Sequence, residues 1–171
     1  MGAVLDEREL EFDFRAAPGA ERLDQQDSPQ PEGMKLVDFV VTEPDRVLLV
    51  EVKDPPGTPA SREARQEFAQ RLAGDQLING DLVPKARDSY TYLHLMRRDD
   101  RPFVLVFVLG IAHLPLDPAL LPAFKDRLLA RARQEGREPW RRQYVADCVV
   151  VTDAQWNSLF AEYPLTRRPG R

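Results

Sequence analysis

The sequence predicts a mixed α/β sandwich. Three observations carry that prediction. Two β-rich runs, Lys35 to Val41 and Val47 to Lys53, are separated by Thr-Glu-Pro-Asp-Arg. A third run, Pro102 to Ile111, is apolar without interruption. Beyond it, strand-like and helix-like segments alternate, which favours a sheet with helices packed against it. The predicted order is β, ββ, α, α, β, α, β, α.

Each element has a local reason. Leu10, Phe12 and Phe14 alternate with Glu11 and Asp13, the pattern of a half-buried strand. Residues 16 to 33 are rich in Pro, Gly, Gln and Asp and read mostly as loop, with a short extended piece at Ala20 to Leu23. Proline and aspartate between the two β-rich runs favour a tight turn, so those runs form a hairpin. Thr58 and Pro59 suit an N-cap and first helical position, opening a helix to Ala73. After Asn79-Gly80, Asp81 caps a second helix through about Arg98, with Pro84 tolerated in its first turn. Leu82, Ala86, Tyr90 and Leu93 mark its apolar face. The run from Pro102 suits a central strand covered on both faces. Asp117-Pro118 opens a helix carrying Leu120, Leu121, Phe124 and Leu128 and ending near Gly136. Tyr144 to Val151 is the last strand, and Thr152 or Asp153 caps a short terminal helix.

Composition bounds the function. The 171 residues are one domain's worth of sequence, and no internal repeat or linker divides them. A charged fraction of 30% beside 43% apolar residues excludes wholesale disorder. A single cysteine excludes an internal disulfide and a multi-cysteine zinc site. The start lacks a basic region followed by an apolar run, and Phe103 to Leu109 is too short to cross a bilayer. A soluble, cytoplasmic protein with no membrane partner is expected. Net charge is −4, which argues at first against nucleic acid. Its distribution removes the objection. Residues 1 to 32 hold nine acids and three arginines, net −6, and the remainder carries +2. Arg127 to Arg142 alone holds six arginines and two acids. These arginines read as a solvated helix end, with phosphate contact as the alternative.

The hairpin carries the chemistry. With a turn centred between Pro44 and Asp45, the numbers of paired residues sum to 89. Asp38 then meets Glu51, with Cβ atoms roughly 5 Å apart, and Leu36 meets Lys53. One face holds Leu36, Asp38, Val40, Leu49, Glu51 and Lys53; the other holds Val37, Phe39, Val41, Leu48, Val50 and Val52 and is core. Two opposed carboxylates flanked by apolar residues either share a proton or bind a cation. Carboxylates, a carbonyl and water are hard oxygen ligands suited to Mg²⁺ or Mn²⁺. Such an ion can activate water and stabilise charge on a phosphate, with the Lys53 ammonium orienting that water or steadying the phosphate. The bland alternative is a solvated sheet face on which an acid pairs with Lys53.

VDFVV followed by LLVEVKD, with Asp38 and Glu51 thirteen residues apart, resembles the PD-(D/E)XK nuclease superfamily. The pattern is an acid on one hairpin strand, then acid-x-Lys on the next. The resemblance implies a restriction-endonuclease-like three-layer sandwich, a mixed central sheet flanked by helices. It implies a metal-dependent nuclease, with DNA the expected substrate and a role in defence or DNA processing. Asp38 and Glu51 would hold the metal, and Lys53 would complete the catalytic set. Lys85 and Arg87, at the start of the second helix, would contact the scissile phosphate. Val37 stands where many members have proline. Many members also place a further acidic ligand near the N-terminus, and here Glu7, Glu9, Glu11, Glu21 and Asp24 are candidates that spacing does not separate. The alternative reading is a catalytically inactive member of the same fold, acting as a protein-binding or assembly module, with a protein partner or a homodimer as its complex.

Other reactive types read as structural. His94 and His113 are too far apart in sequence for a histidine cluster, and Cys148 sits in an apolar strand. Trp140 and Trp156 read as packing anchors. Tyr90 and Tyr92 point to different sides of one helix.

Overall fold

The run Val47 to Lys53 is the strand on which the rest is assembled. In the computed structural model, residues 1–24, 31, 33–55, 62–114, 116–117 and 119–168 are described. In chain order the elements are β1 (Val4–Glu7), β2 (Leu10–Asp13), β3 (Gly19–Arg22), β4 (Phe39–Thr42), β5 (Val47–Lys53) and α1 (Arg62–Ala73). A π-helical turn (Ile78–Leu82) runs into α2 (Val83–Leu95), followed by β6 (Phe103–Leu109), α3 (Leu120–Ala132), β7 (Asp147–Thr152), α4 (Asp153–Leu159) and β8 (Leu165–Arg167). Among the described residues, no helix is long and apolar enough to cross a membrane.

A five-stranded mixed sheet has the order β3-β4-β5-β6-β7. Its first three strands form an antiparallel meander, and β5, β6 and β7 run parallel. A smaller antiparallel sheet has the order β1-β2-β8. Both faces of the large sheet are covered, so its central strand β6 is apolar throughout and every residue of it is buried. On one face Val40, Leu49, Leu105 and Phe107 pack with Leu82, Ala86, Phe124 and Leu128 of the helices. On the other, Phe39, Val41, Leu48 and Val50 pack with Phe12 of β2, with Phe14 just after it, and with Trp156 of α4. Trp156 stands edge-on to both phenylalanines and donates its indole N–H to the Tyr163 carbonyl at 2.6 Å. Burial of each such ring is worth about 2 kcal/mol. The second covering layer is therefore a small sheet with one helix, where helices on both flanks were expected.

The hairpin register agrees with the expected one. Phe39 faces Val50, Val40 faces Leu49, Val41 faces Leu48 and Thr42 faces Val47, while the Glu43 N–H donates to the Arg46 carbonyl at 2.8 Å. The strand predicted from Lys35 begins only at Phe39, because side chains of α2 take the earlier backbone donors. Ser89 accepts from the Val37 N–H at 2.9 Å, and Asp88 accepts from the Lys35 N–H at 3.0 Å. Val37 consequently packs on the helix side, and Leu36 is not a ladder partner of Lys53, which faces Leu109 instead.

The remaining elements follow sequence chemistry closely. Helix α1 ends at Ala73 as expected; its proposed cap, Thr58 and Pro59, lies outside the described residues. Thr152 caps α4, its side chain accepting from the Gln155 N–H while the Gln155 side chain accepts from the Thr152 N–H. Two helices stop early: α2 at Leu95, where Arg97 takes a positive φ of 56°, and α3 at Ala132, where Gln134 does the same. Tyr144 and Val145 are buried but precede β7. Strands β1 and β8 were not expected.

Candidate active site

The hairpin brings Asp38 and Glu51 together where β4 begins and β5 nears its end. Asp38 sits one residue before β4, and its carboxylate accepts the Val52 N–H at 2.7 Å. Its own carbonyl accepts from the Leu23 N–H at 2.9 Å. Glu51 is fully buried on the helix side of the sheet. Burial and the neighbouring Glu51 charge push the Asp38 carboxyl up to about 7. Burial also pushes Glu51 upward, against the pull of two lysines.

Those lysines approach from different elements. Lys53, two residues along β5, places its ammonium 2.5 Å from Glu51 Oε1 and 3.0 Å from Asp81. Burial opposes its charge, yet the flanking Glu51 and Asp81 hold its pKa above the ordinary value. Lys85, in the first turn of α2, reaches both Glu51 oxygens at 2.8 and 2.9 Å and stands 3.9 Å from Asp38 Oδ1. Three carboxylates thus surround two ammonium groups, the arrangement that makes buried charge tolerable.

Asp38, Lys53 and Lys85 line a cleft of about 340 Å³, with Glu51 behind them. Glu7, Arg8, Asp24, Arg65 and Phe68 complete much of its wall. The fold therefore separates the five N-terminal acids that spacing could not. Glu7 and Asp24 face the cleft, whereas Glu9, Glu11 and Glu21 pair with Arg167, Arg168 and Arg98. Glu7 itself pairs with Arg22 at 2.9 Å.

Arg87 stands apart from this group. Two residues on from Lys85 along a helix is a rotation of about 200°, so the two side chains diverge. Arg87 is exposed and pairs with Asp88 at 3.1 Å. Lys85, expected as a phosphate contact, hydrogen-bonds Glu51 and lines the cleft. Asp81 was expected to cap a helix; that helix has no side-chain cap, and Asp81 binds Lys53 instead. The spacing of Asp81 and Lys85, four apart, was the available signal, since it puts both on one helical face.

Comparison with protein-family models, with curated proteins and with solved structures finds no match.

The fit of a divalent ion is then a matter of the donor set. Among the described residues, no group of three or more His, Cys, Asp or Glu side chains is placed to hold a metal. Asp38 and Glu51 supply two hard carboxylates that converge on one point, and a cation, the Lys85 ammonium, already lies within 4 Å of both. Mg²⁺ is commonly held by one or two carboxylates, with water and substrate phosphate filling its remaining positions. The pair fits that mode.

His94, Cys148, Trp140 and Trp156 do not line the cleft. His94 is exposed and lies 2.6 Å from Asp99; Cys148 is fully buried, and burial pushes its thiol up to about 12. Trp156 is a core anchor as expected, whereas Trp140 is exposed. Of the arginine run, Arg131 donates to Asn79 at 2.7 Å and Arg133 donates to the Ala146 carbonyl.

Proposed function

We infer that this chain is a Mg²⁺- or Mn²⁺-dependent phosphodiesterase acting on nucleic acid, with DNA the first substrate to test. The supporting observation is the buried Asp38–Glu51 pair beside Lys53, at a cleft whose wall also carries Arg8, Arg65 and Lys85. Asp38 and Glu51 would hold the ion. A bound divalent ion supplies Lewis-acid stabilisation of the phosphate and lowers the pKa of a water that it holds. Lys53 orients the attacking water and opposes the negative charge that develops on the phosphate. Arg8 and Arg65 contribute positive charge in the cleft, the sequence-independent part of nucleic-acid affinity.

The test is hydrolysis of labelled single- and double-stranded DNA and RNA with Mn²⁺. Cleavage that disappears in a folded Lys53→Ala variant supports the reading. Cleavage unaffected by that substitution removes it.

One observation favours a second reading, a non-catalytic member of the same fold that binds a protein partner or a second copy of itself. Lys85 donates to both Glu51 oxygens, so this acid already has a protein cation as its partner. No hydrolysis of any of the four substrates with Mn²⁺, together with a stable dimer in solution, would favour it.

A further inference from the structure

Lys85 places its ammonium within 4 Å of both candidate metal ligands. Its ammonium is within hydrogen-bonding distance of both Glu51 oxygens and 3.9 Å from Asp38. A divalent ion binds carboxylate oxygen at about 2.1 Å for Mg²⁺. It cannot share the Glu51 oxygens with an ammonium at 2.8 Å. The other approach to Oε1 is taken by Lys53, which Asp81 anchors from its far side.

Among the described residues, Lys85 has no such second anchor at hydrogen-bonding distance among its ion pairs, and its side chain, like that of Lys53, lines the cleft. A flexible four-carbon stem lets its ammonium leave Glu51 for the cleft without movement of α2. The two lysines therefore differ in anchoring: Lys53 is held between Glu51 and Asp81, whereas Lys85 is hydrogen-bonded to Glu51 and only 3.9 Å from Asp38.

We propose that Lys85 is an internal counter-cation that competes with the divalent ion, so that metal loading and release of Lys85 into the cleft are one event. The proposal rests on reading Asp38 and Glu51 as the metal pair. It makes Lys85 part of the counter-charge of the buried acids until an ion displaces it. Displacement then delivers a positive charge to the cleft at the moment a phosphate can use it, and both consequences follow from one side-chain movement.

The experiment is Mn²⁺ binding, read from the paramagnetic resonance of free Mn²⁺, in wild-type protein, Lys85→Met and Lys85→Met/Glu51→Gln. Lys85→Met keeps the apolar stem and removes the charge. It should bind Mn²⁺ at least about tenfold more tightly than wild type, given the size of a unit-charge repulsion at this range. Adding Glu51→Gln should abolish that gain. A second measurement needs no variant: Mn²⁺ should speed acetylation of Lys85 in the wild-type protein several-fold. Equal or weaker binding by Lys85→Met, still lost with Glu51→Gln, overturns the competition and leaves the metal pair standing. So does acetylation of Lys85 that Mn²⁺ leaves unchanged while it binds. Mn²⁺ binding by neither protein overturns the metal pair and the competition together.

Discussion

Lys53 and Asp81 stand 3.0 Å apart, joining the end of β5 to the π-helical turn that leads into α2. The contact fixes the Lys53 ammonium between two carboxylates and limits where it can point. Loss of Lys53 should reduce Mn²⁺-dependent cleavage by about a hundredfold or more, the scale of a positioned charge at a transition state. Asp81→Asn keeps the shape and weakens the anchor, so it should cost about tenfold while the fold survives. Initial rates on one DNA substrate compare the two directly. A larger loss in Asp81→Asn than in Lys53→Ala would contradict the assigned roles.

Glu51 offers a test that does not depend on turnover. An ion present at about a hundred times its dissociation constant stabilises the folded state by roughly 2.7 kcal/mol if it binds that state alone. Mn²⁺ should therefore raise the melting temperature of the wild-type protein and leave Glu51→Gln almost unmoved. Thermal unfolding with and without Mn²⁺ measures both. The same shift in the two proteins would remove Glu51 from the metal pair.

The hairpin was legible because its information is local. Turn chemistry at Pro44 and Asp45 set the register, and alternation then placed Asp38 beside Glu51 and Lys53 two residues on. What escaped the sequence depends on distant partners. Lys35 to Asp38 has the composition of a strand, but Asp88 and Ser89, more than fifty residues away, take two of its backbone donors. Strands β1 and β8 are short and charged, and they exist by pairing with β2 from opposite ends of the chain. Lys85 could be assigned to the site from its position in a helix. Its actual partner, Glu51, depends on how α2 packs across the sheet.

Cys148 gives a clean reporter of that packing. It is fully buried in β7, and burial pushes its thiol up to about 12, so the folded protein holds it neutral and out of reach at pH 8. Unfolding restores an ordinary thiol near 8.5. Labelling with a thiol reagent at pH 8 should be slow in native buffer and fast above the urea midpoint. Rapid labelling of the native protein would show that β7 is less protected than its burial implies.

Arg167 ties the chain's last strand to the candidate site. Its guanidinium reaches Asp54 at 2.9 and 3.1 Å, Asp153 at 2.8 Å and Glu9 at 3.0 Å. Asp54 directly follows Lys53, Asp153 opens α4, and Glu9 lies in the turn between β1 and β2. One side chain therefore joins four segments around the end of β5. Gly110, after β6, leaves the room for it: a Cβ there would overlap the Asp54 carboxylate and crowd Arg167. Removing the arginine strands Asp54, which is almost wholly buried, with no matching charge from this strand. Arg167→Ala should destabilise the protein by about 3 kcal/mol, as breaking a buried pair does. Arg167→Lys keeps the charge but loses the planar fork, so it should fall between the two. Gly110→Ala should cost about 1–3 kcal/mol through overpacking at the same place. Urea unfolding of the three variants reads all of these. A loss below about 0.5 kcal/mol in Arg167→Ala, the scale of an exposed surface pair, would show that the network adds no more than solvated ion pairs do.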